Sequence, residues 1–376
     1  MSARKPRLRD LGITIGTMTP GQFNAITDVP DVRVGQTTVI HGDGPLRIGE
    51  GPARTGVTAV HPHADSCWSM QVPAAIESLN GAGEITGHAN LDEFGMLASP
   101  ILITNTLSIG AVHRATVEWQ VRMHPEIGPE EWSAPVVAET YDGFLNDTAG
   151  QHVTREHVWD ALDNPTSGPV SEGNTGGGTG MMLFGFKGGT GTSSRTVEID
   201  GSSYTVGVLV QGNFGGRDQL TIDGVPVGRE ITDLLAESGS NRPASASDGS
   251  IIVVIATDLP LSDRQLSRLC RRGMLGLSRT GSVASNGSGD LLIAFTNHPD
   301  CRVSYPDEPT IITSPRLGDG IMTPVFQATV EATEEAVINA LVAADTMTGR
   351  DGNTAHALPH DRLREVMRRY NRLQQE

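Results

Sequence analysis

Aromatic residues make up only 4% of this 376-residue chain, and cysteine is scarcer still, with Cys67, Cys270 and Cys301 widely spaced and free of any CxxC pair. An odd, scattered set of three excludes a disulfide framework and suits a reducing compartment. No stretch approaches the ~20 apolar residues of a membrane-spanning helix. Residues 1–16 are basic but lack the apolar centre of a secretory signal. Positive charge is in deficit, 28 Lys and Arg against 44 Asp and Glu, for a net charge of −16. Such a surface repels phosphate backbones, which argues against a nucleic-acid partner. Catalytic signatures are missing as well. There is no GxSxG elbow, no HExxH helix, no dinucleotide fingerprint and no P-loop, so lipase-type hydrolases and zincins have no support. The expectation is an acidic, soluble, cytoplasmic globular protein with no membrane contact.

What is abundant is glycine, 45 residues without a collagen period. It serves tight turns and close backbone approach rather than a fibre. Strands are expected around residues 37–40 and 56–60, followed by His61-Pro62-His63 and Asp65. Two histidines and a carboxylate can chelate, but Pro62 and the lack of a partner motif favour ordinary loop residues. Residues 78–87, SLNGAGEITG, read as a glycine-spaced loop where backbones cross. Residues 99–106 read as a buried strand leading into a helix over 109–122, whose Val112, Ala115 and Trp119 share one stripe. Val136-Val137-Ala138 is a further strand, at whose end Glu139 and Tyr141 fall on one face.

The densest glycine region, Gly173 to Gly180, has the composition of a flexible linker but runs into an ordered-looking apolar segment. Two strands, 195–200 and 203–210, flank a hairpin turn at Gly201-Ser202 and deliver Asn213 into a glycine-flanked turn. Ser262-Asp263-Arg264-Gln265 is a capping box that opens a helix. Asp290 leads into the strand 291–295, and helices are expected over 328–347 and 360–373. Strands group with strands and long helices cover them, which favours one α+β domain of stacked layers, 1–376, over a doubly wound sheet.

One junction stands apart. Residues 238–249, SGSNRPASASDG, are small, polar and turn-prone, and at Ser250 the chain changes into the apolar run Ile251-Ile252-Val253-Val254-Ile255-Ala256. A short, β-branched run of this kind is a strand buried on both faces. Ser250 therefore stands where a loop enters the core, with Gly249 before it. If its hydroxyl attacked the Gly249 carbonyl, an N-to-O acyl shift and hydrolysis would free an N-terminal serine. Its α-amine, with a reference pKa of about 7.7–8.0, could then serve as base for its own Oγ without a histidine.

Several motifs, taken together, resemble one family. They are residues 80–87 (NGAGEITG), 100–106 (PILITNT), 139–143 (ETYDG), 172–174 (EGN), 178–181 (GTGM), 211–215 (QGNFG), 248–250 (DGS) and 286–290 (NGSGD). In this order, along nearly the whole chain, they are similar to those of the DmpA family, the L-aminopeptidase/D-Ala-esterase/amidases and their β-aminopeptidase relatives. The resemblance implies an αββα four-layer sandwich and a precursor cut before the serine, giving an α chain of 1–249 and a β chain of 250–376. It also implies homo-oligomers, typically tetramers of αβ units, without metal or cofactor, acting on short peptides, amino-acid amides and esters.

By position, Ser250 is implied as nucleophile, with Ser288 supporting its amine. Asp290 would orient Ser288, where β-aminopeptidases carry Glu. Asn213 would be an oxyanion donor and Glu139 the carboxylate for the substrate's ammonium; Tyr141 would lie over the same pocket as a catalytic residue that assists the oxyanion, and Phe144 would help shape the pocket wall. An ornithine acetyltransferase-like acyltransferase shares fold and self-cleavage but uses threonine. A non-catalytic ligand-binding protein with a decayed site is the rival outside enzymes.

Overall fold

Alternation along the strands decides the layers. The computed structural model describes residues 5–239 and 249–373. In chain order the longer strands are β1 (Arg33–His41), β2 (Ala53–His61), β3 (Met70–Gly81), β4 (Ile101–Asn105), β5 (Val136–Thr140), β6 (Gly189–Ile199), β7 (Ser202–Asn213), β8 (Ser250–Thr257) and β9 (Gly289–Thr296). A small sheet has the order β1-β2-β4-β5, and a large one runs β3-β9-β8-β7-β6 with Val303–Ser304 outside β3. The β8–β9 and β4–β5 pairs are parallel, while β7–β8 is antiparallel.

Strand β8 splits its side chains between two cores. Ile252, Val254 and Ala256 meet Val60, Ile101, Ile103 and Ala138 of the small sheet. Ile251, Val253 and Ile255 pack toward the helices with Leu266, Leu269, Ala332 and Ala336. A third cluster seats Val57, Ala59, Leu102 and Val137 on Val112, Ala115, Val158 and Leu162. These last four lie on α1 (Ile109–Met123) and α2 (Arg155–Asp163), whereas α3 (Asp263–Arg279) and α4 (Thr323–Val342) cover the large sheet. The result is the four-layer αββα arrangement that the resemblance implied. The continuous apolar run of β8 follows from burial on both faces.

Local signals hold at α3, where Ser262 and Gln265 form the capping box. Several boundaries differ from expectation; the terminal helix, for one, ends at Arg369 rather than Leu373. The hairpin turns at Asp200-Gly201, one residue early, because Ser202 already pairs with Ile199 and both turn residues take positive φ. Ser78 to Gly81 belong to β3 rather than to a loop. The long helix begins at Thr323, where Pro324 suits the first turn, and stops at Val342 rather than Met347. No helix among the described residues is long and apolar enough to cross a membrane.

The sheet–helix layer is pinned by a buried charge cluster. Arg195 of β6 is wholly buried and meets Glu335 of α4 at 2.7 Å and Glu331 at 3.2 Å, while Arg9 reaches Glu335 at 2.8 Å. Removing Glu335 takes the nearer carboxylate from buried Arg195 and the partner from Arg9, so Glu335→Ala is expected to destabilise the fold by about 3–5 kcal/mol, read from urea unfolding.

Candidate active site

Ser250, the first residue of β8, is buried and lies between two partners: Asn213 opposite it on β7 and Gly289 beside it on β9. The Gly289 N–H is shared, donating to the Gly249 carbonyl at 3.1 Å and to Ser250 Oγ at 3.3 Å. One amide thus lies against both the hydroxyl and the carbonyl that precedes it. Gly249 must be glycine, since a Cβ there would stand 1.9 Å from the Asn213 carbonyl oxygen. The polar segment that the sequence placed before this junction, 240–248, falls outside the described residues.

Asn213 is the last residue of β7 rather than part of a turn. Directly paired residues of an antiparallel ladder share a face, so its side chain and that of Ser250 project to the same side. Asn213 Oδ1 accepts from the Met182 N–H at 2.8 Å. That bond fixes the amide's rotation and leaves Nδ2 as its donor face.

Beside this pair, Ser288 donates from Oγ to Asp290 Oδ1 at 2.7 Å, with both residues buried. Burial raises the pKa of Asp290, and the Ser288 hydroxyl pulls the other way. Its Oδ2 is buried without a hydrogen-bond partner. Asn80 fastens the approach to β9, donating from Nδ2 to the carbonyls of Ser285 at 2.8 Å and Ser288 at 2.7 Å.

Glu139 and Tyr141 divide differently from the strand alternation. The acid is only 3% exposed and the ring is 52% exposed. Pairing in β5 ends at Thr140, so the turn, not the strand, aims Tyr141, whose ring lies over Gly143. Glu139 Oε1 accepts from the Glu84 N–H at 3.0 Å, and Oε2 takes the Thr106 hydroxyl. Burial drives the Glu139 carboxyl above its ordinary range while these two donors oppose it. Gly83 separates this carboxylate from β9: a Cβ at 83 would lie 3.2 Å from Glu139 Oε1 and 3.1 Å from Gly289 Cα. Here the backbones do cross as the glycine spacing suggested.

The structure therefore brings Ser250, Asn213, Gly289, Ser288, Asp290 and Glu139 to one end of the paired sheets, with Tyr141 at the rim. It does not gather the histidines there. His61 is buried, which lowers its pKa to about 3, and His63 Nε2 bonds the Met70 carbonyl at 2.8 Å. Among the described residues no group of His, Cys, Asp and Glu is arranged to hold a metal. Sequence reasoning missed the Gly289 and Met182 amides, because backbone donors carry no residue signature. It also missed Thr106, although its place directly after the apolar strand 101–105 was a usable clue.

The chain matches the model described as Peptidase family S58 over residues 24–355. It is 48% identical to a protein named beta-peptidyl aminopeptidase BapA from Sphingosinicella microcystinivorans, over 99% of this chain and 94% of that one. A BapA from Sphingosinicella xenopeptidilytica is 45% identical, over 96% and 91%. The solved L-aminopeptidase D-Ala-esterase/amidase from Ochrobactrum anthropi, described as a variant of the Ntn hydrolase fold, superposes with a TM-score of 0.90 at 46% identity, covering 98% of this chain and 100% of that one.

Proposed function

The chain belongs to peptidase family S58, and on that premise we propose that it is a self-processing serine aminopeptidase that releases N-terminal residues from short peptides, amides and esters. The observation that carries this reading is the single Gly289 amide bonded to both Ser250 Oγ and the Gly249 carbonyl. Processing begins when Oγ attacks that carbonyl carbon. The Oγ–C bond forms, the C–N bond to Ser250 breaks, and the serine nitrogen leaves as an amine. The Gly289 N–H stabilises the developing oxyanion. Water then hydrolyses the ester, giving chains 1–249 and 250–376 of a single folded domain.

The freed α-amine, titrating near 7.7–8.0 in its reference state, takes the proton of its own Oγ as the hydroxyl attacks a substrate carbonyl. Asn213 Nδ2 faces the oxyanion, and the proton passes to the departing amine. Water releases the acyl group in a second, equivalent step. Ser288, held by Asp290, supports the α-amine, and Glu139 receives the substrate's ammonium. Tyr141 and Phe144 border the acyl pocket. The assembly is a homo-oligomer of αβ units working in the cytoplasm. An acyltransferase reading finds no counterpart among these relatives, which are named as aminopeptidases.

Because two relatives carry the name beta-peptidyl aminopeptidase, p-nitroanilides of β-amino acids are the first substrates to try, beside their L- and D-α counterparts. Intact-mass measurement of the wild-type protein is expected to show two chains, the smaller beginning at Ser250, together with release of p-nitroaniline. A single intact chain would sink the mechanism.

A further inference from the structure

The chain contains only two lysines, Lys5 and Lys187, and uses arginine at every other basic position. Lys187 has no solvent exposure at all. Interring an ammonium costs several kcal/mol unless its donors are well met. Here they meet backbone only: Nζ donates to the carbonyls of Met181 at 2.7 Å, Gly188 at 2.8 Å and Gly178 at 3.4 Å. Three acceptors suit the three hydrogens of an ammonium, a set no planar guanidinium presents from one point. Burial lowers the Lys187 pKa to about 7, against the opposing charge of Asp142.

The Met181 carbonyl and the Met182 N–H are two ends of one peptide unit. That N–H is the group bonded to Asn213 Oδ1 at 2.8 Å. A single rigid plane therefore joins Lys187 to Asn213. The loop around it has few side chains of its own, since a Cβ at Gly180 would stand 2.1 Å from the Arg54 carbonyl and one at Gly178 2.3 Å from the Thr190 nitrogen; Thr179 Oγ1 braces the Gly176 carbonyl at 2.6 Å, and the Gly188 N–H shares the Met181 carbonyl with Lys187 at 3.0 Å. We propose that Lys187 is a positioning residue for the oxyanion donor, holding the Met181–Met182 peptide so that the Asn213 amide is locked with Nδ2 toward Ser250. This rests on the reading of Asn213 given above.

A double-mutant cycle with Asn213→Ala tests it, with rates referred to the amount of processed chain on a denaturing gel. Lys187→Met keeps the stem and removes the donors. It is expected to lower kcat for the best p-nitroanilide substrate about 10- to 100-fold with KM within about two-fold. In the Asn213→Ala background the further loss is expected to be under about three-fold. Losses that multiply, or a change confined to KM, would overturn the proposal while leaving Asn213 its role. An Asn213→Ala enzyme with unchanged kcat would overturn both. Should circular dichroism show Lys187→Met unfolded, Lys187→Arg replaces it. That variant displaces the donors without removing the charge, and the same non-additivity is expected.

Discussion

Ser250→Ala is expected to yield one uncut chain and no measurable release of p-nitroaniline, a fall of at least about 10⁴-fold. The loss is large because nucleophile and base reside on one residue. Alanine removes Oγ, and without Oγ the Gly249–Ser250 bond is not opened, so the α-amine never appears. Among the described residues the Ser250 side chain is held by one hydrogen bond of 3.3 Å, from the Gly289 N–H, and that amide keeps the Gly249 carbonyl as acceptor. The variant should therefore fold normally, with an unfolding midpoint close to that of a wild-type precursor. Ser250→Cys separates the two steps, since a thiol can still attack the carbonyl. It is expected to cut itself and to retain weak turnover. Splitting that survived Ser250→Ala would end this account, because the hydroxyl proposed to open that peptide bond is then gone.

Much of the layered fold was legible because burial writes itself along a strand. Residues 251–256 are continuously apolar since β8 faces a core on each side. The opening of α3 was legible from Ser262 and Gln265, a code read within four residues. The site was harder. Nothing local says that Asn213 faces Ser250, because the register of β7 on β8 is set by the packing of both sheets. Glycine content misled between 173 and 180, where composition suggests a flexible linker. The structure shows that the missing side chains make room for backbone: a Cβ at Gly177 would reach Gln211 Oε1 at 2.1 Å, and one at Gly173 the Ala343 carbonyl at 2.4 Å. The Glu139–Tyr141 pair fails for a different reason. Strand alternation applies only while pairing lasts, and it lasts to Thr140.

That division agrees with the role proposed for Glu139, from which a second large effect is expected. Glu139→Gln preserves shape and the acceptor for the Glu84 N–H, so folding and self-cleavage, which involve no ammonium, should proceed and give the same two chains. Binding should not. A substrate ammonium entering a desolvated site meets a carboxylate or meets nothing, and truncating such a pair costs about 2–5 kcal/mol. The expected loss in kcat/KM is about 30- to several-thousand-fold, carried mainly by KM. The pH profile supplies the sign. The Ser250 amine must be unprotonated to act as base, so log kcat/KM falls with slope one below its pKa, near 7.7–8.0 in the reference state. Burial has already raised the Glu139 pKa in the free enzyme. As pH drops through that value the carboxylate gains a proton and the ammonium loses its partner, so the slope should steepen to two. It should do so above the ordinary glutamate value, and Glu139→Gln should keep slope one throughout. Should the glutamine enzyme bind its substrates with an unchanged KM, the ammonium would have to be recognised by another group, and Glu139 would be left as the brace that ties Glu84 and Thr106 to β5.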